Sequence, residues 1–185
     1  MSIKTFPLEL KENVPNFLNF LRKNDNIYSY FPVKKGITKY GQKLEVGFST
    51  YALKILFITG NWNNLNDNDT ENWKNYINSF QVEKSNYPIN SFIDKNYLNF
   101  FQENKLNFFG RDIVKGLLNR TLGRDYELTK KKITNSIRAE TKQCISSLYQ
   151  VGSKNNKNYD EFTNLDITRF LDSFDWKKPW SAGAQ

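Results

Sequence analysis

A chain of 185 residues, 38% hydrophobic and 16% aromatic, has the length for one domain and the bulk for a packed core, which excludes a generally disordered chain. One cysteine, Cys144, excludes an internal disulfide and multi-cysteine metal centres, and the absence of histidine excludes triads, metal sites and acid–base steps built on imidazole. The formal charge of +8 comes from 21 Lys and 6 Arg in a chain that also holds 25 Asn, a compositional bias more than a nucleic-acid surface. Arg, which bidentate base and phosphate recognition favours, is the scarce cation.

The basic residues are spread, net +3 over residues 1–92 and +5 over 93–185. The densest run, Lys130-Lys131-Lys132, fits one solvent-facing helical turn, and nucleic acid is not an expected partner. No apolar signal region opens the chain. The longest apolar run, Tyr51 to Ile58 broken by Lys54, is far short of the roughly 20 residues of a membrane span. A soluble cytoplasmic protein with no cofactor and no metal is expected.

In chain order, Pro15 to Lys23 reads as a short helix, with Pro15 in the first position where its missing N–H costs nothing. Residues 24–41 read as a loop with Pro32, Gly36 and Gly41, closing an N-terminal helix-and-loop region over 1–41. Gln42 to Thr59 is apolar nearly all round, the pattern of a buried helix, stopped by Gly60. Asn68 with Glu71 suggests a capping box for a helix whose Trp73, Tyr76, Ile77 and Phe80 share a face. Asp94 is placed to cap a helix carrying Tyr97, Leu98 and Phe101. Asp112 to Leu122 forms another, with Ile113, Val114, Leu117 and Leu118 before Gly123. Glu127 to Val151 is a long helix faced by Ile133, Ile137, Thr141, Cys144, Ile145 and Leu148. Thr163 opens the last, faced by Ile167, Phe170, Leu171 and Phe174. The class is all-α, one domain over 1–185, built as antiparallel helical hairpins. The ending from Trp176 to Gln185 reads as a loop leading into a further helix, which suggests a truncated chain.

Two stretches carry a resemblance. Trp73-Lys-Asn-Tyr-Ile-Asn-Ser-Phe80-Gln81, followed by Ser91-Phe92-Ile93-Asp94, is similar to the helix, aromatic-Gln, turn, aromatic repeat of α/α-toroid proteins, the terpenoid cyclase and protein prenyltransferase group. Arg138-Ala-Glu140-Thr-Lys-Gln143 and Leu171 to Gly183 resemble a later hairpin of such a barrel. The resemblance covers roughly residues 40–185 and implies a partial toroid. Three features depart from the enzymes. Asn86-Tyr-Pro-Ile89 stands where the turn glycine is expected, no Asp-x-Asp-Asp or Asp-Asp-x-x-Asp cluster is present, and the prenyltransferase zinc ligands are missing.

Glu140 sits at the edge of the apolar face of its helix, where a carboxylate turned toward a barrel interior could act as acid or base. Its dull alternative is an edge residue reaching solvent or pairing with a nearby Lys or Arg. Asp175, Trp176 and Trp180 are candidate ligand contacts, Trp faces being able to stack on sugars, prenyl chains or cations. The same tryptophans serve equally as anchors between hairpins, and Asp175, like Asp172, as a cap or a solvated acid. Trp62 and Trp73 read as core anchors and Cys144 as an inert core thiol. Asp67-Asn-Asp69-Thr70 lacks the glycine and distal Glu of a calcium loop and reads as a helix start. The functional expectation is a helical-toroid protein binding or processing a glycan or polyprenyl-type ligand in envelope metabolism. Its competitor is a non-catalytic helical scaffold or protein-interaction module.

Overall fold

The computed structural model describes residues 6–83 and 86–159, with side chains from Leu8 onward. It is mostly helical. α1 spans Phe6–Leu21, α2 Val46–Ile58 and α3 Asp67–Asn78. A two-residue antiparallel pair follows, β1 Gln81–Val82 with β2 Ser91–Phe92, then α4 Lys95–Glu103, α5 Lys105–Leu122 and α6 Thr129–Gln150.

α1 begins nine residues before the expected start and runs straight through Pro15. A proline inside a helix leaves the carbonyl four residues back without its N–H partner. Here that acceptor is Lys11, and the buried Asn61 side chain donates to it at 2.8 Å. The expected capping box at Asn68 is also displaced. Asn66 is the N-cap, accepting from the Asp69 N–H at 2.8 Å while its amide donates to the Asp69 carboxylate. Gly60, Gly123 and Gly152 adopt φ of 73°, 59° and 71°, the left-handed conformation that ends a helix.

The main core joins α1 (Val14, Leu18), α2 (Leu53, Leu56), α3 (Trp73, Ile77) and α6 (Cys144, Leu148). Its hub is Trp73. The ring stacks on Tyr30 and tilts against Tyr28 and Trp62 at centroid distances of 5.6 to 5.7 Å, and its indole N–H donates to the buried Ser49 hydroxyl at 2.8 Å. Each large apolar side chain removed from water here contributes on the order of 1.5–3 kcal/mol. α2 is not enclosed on all sides as its sequence suggests: Val46, Ala52, Leu53 and Leu56 are buried, whereas Tyr51 and Ile58 stay exposed.

The strand pair, which the helical pattern did not announce, ties the middle of the chain to α6. The Phe92 N–H donates to the Thr141 hydroxyl at 3.0 Å, and fully buried Phe92 joins the main core. Next to it, Asp94 caps α4 as expected, accepting from the Asn96 N–H at 2.9 Å, and accepts from the Glu45 N–H at 2.6 Å. One carboxylate thereby fixes the starts of α2 and α4 together. A smaller core, Ile93, Phe101, Ile133 and Ile137, packs α4 against the first half of α6.

Candidate functional site

α4 passes into α5 through the single residue Asn104, whose side-chain amide donates back to the Phe100 carbonyl at 2.8 Å. This tight joint brings Phe108 back onto the end of α4, its ring centroid 4.8 Å from that of Phe101 and 5.5 Å from that of Phe100. α6 closes the third side. The Asp112 carboxylate accepts from the Thr129 N–H at 3.0 Å and from its hydroxyl at 2.9 Å, which pins the first turn of α6 beside the middle of α5.

Between the three helices lies an open groove of about 400 Å³, a volume in the range of small-ligand sites. Its walls are apolar: Leu98 and Phe101 of α4, Phe108 and Phe109 of α5, Ile133 of α6, and Tyr87 from the loop before β2. Its polar lining is Lys105 and Lys130, both exposed, Gln102, Thr129 and one acid, Asp112, whose carboxylate is already engaged by Thr129. Lys130 lies in the first turn of α6, where the helix dipole adds positive potential. An apolar trough with cations at its mouth suits a molecule that is greasy along its length and anionic at one end.

The remaining surface of α5 is the reverse of an ordinary packed helix. Its inward polar side is held by hydrogen bonds to the connection into α6. The Lys115 ammonium donates to the Glu127 carbonyl at 2.7 Å, and Asn119 exchanges hydrogen bonds of 2.8 and 3.0 Å with the Tyr126 backbone. None of its residues is buried against the described structure, and Leu106 is 85% and Phe109 64% exposed.

Glu140 lies elsewhere, half-buried over the N-terminal turn of α2. Its Oε1 is 2.9 Å from where a Cβ on Gly47 would stand, so the carboxyl lies directly over the glycine. Burial, with the nearby Asp94 charge, raises its pKa to about 7, and it makes no hydrogen bond or ion pair among the described residues. Burial raises Glu45 in the same way and lowers Lys23, whose ammonium donates to the Leu44 carbonyl at 2.8 Å. A carboxyl that holds a proton near neutrality has the right chemistry for an acid or base. Its neighbour is α2 backbone, however, and it is not among the groove's lining residues. Cys144 is fully buried with its thiol pKa pushed up, as a core thiol should be.

Asp172, Asp175, Trp176 and Trp180 lie outside the described residues. Among the described residues no cluster of three or more His, Cys, Asp or Glu side chains is arranged for a metal, and no helix is long and apolar enough to cross a membrane. Sequence reasoning missed Lys105, Phe108 and Phe109 because it began the helix at Asp112, which instead caps the neighbouring α6. The signal was present: Leu106, Phe109, Ile113 and Leu117 keep one helical period back through Gly110. Comparison with known proteins gives no match to a family model, to a curated protein or to a solved structure.

Proposed function

We propose that this protein is a non-catalytic binding module whose groove between α4, α5 and α6 takes a polyprenyl-type amphiphile with an anionic head. The supporting observation is the groove itself, aromatic and aliphatic walls opening on Lys105 at the start of α5 and Lys130 in the first turn of α6. A glycan fits less well, because sugar hydroxyls need a dense set of polar partners and these walls offer few. Glu140 serves the fold in this reading, since its carboxyl lies against Gly47. An α/α-toroid arrangement of antiparallel hairpins and a cytoplasmic setting belong to the same proposal, the second supported by a free, buried Cys144.

The test is calorimetric titration of the full chain with farnesyl phosphate below its aggregation limit, with farnesol and inorganic phosphate as controls. Saturable binding of the phosphate ester, weaker binding of the alcohol and none of inorganic phosphate are expected. Lys105→Ala with Lys130→Ala should weaken the ester about tenfold or more and leave the alcohol unchanged, whereas Phe109→Ser should weaken both. No saturable binding of either prenyl compound contradicts the proposal.

The scaffold or protein-interaction reading has its own support in the exposed apolar side of α5. A protein partner seated there would bind more weakly to Leu106→Ser and Leu117→Ser and would not be displaced by farnesyl phosphate.

A further inference from the structure

The outward side of α5 is a second feature, which shares Phe109, Lys105 and Lys130 with the groove and adds Leu106, Ile113 and Leu117 outside it. At about 100° per residue, Leu106, Phe109, Ile113 and Leu117 fall within an arc of about 80°, with Val114 about 60° beyond its edge and Arg120 inside it near the C-terminal end, where its long stem can carry the guanidinium outward. All five apolar residues are exposed, Val114 and Leu117 at 56% each. The one acid in the helix, Asp112, lies about 60° outside the arc, and its carboxylate is used to hold the start of α6. Between Lys105 and Lys132 the chain has eight basic and three acidic residues, so this short region holds +5 of the total +8. Lys105, Arg111, Arg120 and Lys130 to Lys132 form no ion pair among the described residues.

We propose that α5 lies in the plane of an anionic lipid bilayer, its apolar arc in the acyl boundary and its flanking cations on the headgroups. An exposed apolar arc without acids, with Lys and Arg near it, is a feature of interfacial helices, and juxtaposed basic residues add attraction to anionic lipid. The other occupants fit less well. A second copy would bring two +5 regions face to face. A nucleic acid satisfies the cations and leaves the apolar arc in water. The helix does not span the bilayer; it rests on it.

The experiment is co-sedimentation of the full chain with vesicles of phosphatidylcholine alone and of phosphatidylcholine mixed with phosphatidylglycerol. Partition only onto the anionic vesicles, weakened by salt, is expected. Ile113→Ser with Leu117→Ser should reduce it at least tenfold, and Lys131→Ala with Lys132→Ala about fivefold per lysine. These side chains are exposed, so both variants should keep the wild-type melting temperature. Three results would overturn the idea: no partition onto either vesicle, partition that the serine variant leaves unchanged, or a dimer in solution that Leu117→Ser dissociates. Amide exchange showing α5 already covered in the free chain, for instance by residues 160–185, would overturn it too. Vesicle partition without farnesyl phosphate binding removes only the groove reading; the converse removes only this one.

Discussion

Asn61 donates its side-chain amide to the Lys11 carbonyl, the acceptor that Pro15 leaves without a helical partner. A buried side chain fifty residues along the chain thus completes the hydrogen bonding of α1 and fixes the α2–α3 connection against it. Asn61→Ala should cost about 0.5–1.5 kcal/mol, the net worth of a hydrogen bond whose acceptor, on exposed Lys11, water can reach. In a Pro15→Ala background the helix supplies its own N–H, and the same substitution should cost clearly less. Urea denaturation of the double-mutant cycle measures this; additive effects would mean that Asn61 acts through packing alone.

Glu140 sets a pH dependence whose sign follows from its shift. A carboxyl with a pKa of about 7 in the folded chain, against 4.5 ordinarily, binds its proton more tightly when folded. The stabilisation is complete below about pH 4.5 and is lost as pH rises through about 7. At about 1.4 kcal/mol per unit, the loss is on the order of 3 kcal/mol. Glu45, raised by burial, works in the same direction, while Lys23, lowered from 10.5, works in the opposite sense toward alkaline pH. Denaturation midpoints should therefore be higher at pH 5.5 than at pH 8. Glu140→Gln should flatten that difference and exceed wild type at pH 8. An unaltered pH profile in the variant would remove Glu140 as its source.

Gly47 lies under the Glu140 carboxyl. An added Cβ would stand 2.9 Å from its Oε1, the free end of a flexible side chain that can swing aside. Gly47→Ala should therefore change stability by less than about 1 kcal/mol, because the helix propensity gained by Ala offsets the displacement. Urea denaturation measures it; a loss above about 2 kcal/mol, the scale of overpacking in a rigid core, would mean that the carboxyl cannot move.

The helices that bury an apolar face were legible from periodicity alone. Trp73 and Ile77 in α3, and Ile137, Cys144 and Leu148 in α6, stand where a 3.6-residue period puts them. Local caps were legible where they act within one helix, as Asp94 does, although that residue also holds Glu45 across 49 positions, which no local pattern reveals. α1 was shortened because Pro15 was read as a start, and the partner that permits it inside the helix is distant in sequence. Asp112 misled for a related reason. Its spacing resembles a start of its own helix, whereas it caps α6 seventeen residues on. The groove went unread because it is made by three helices meeting, and only its apolar members leave a periodic trace.

Methyl chemical-shift mapping of the full chain during a farnesyl phosphate titration tests the binding proposal most directly. The account predicts saturable shifts centred on Leu98 and Ile133 and fading across Val46, Leu53 and Leu56 in the main core. Shifts centred on those core methyls, or none anywhere at saturating ligand, would contradict it.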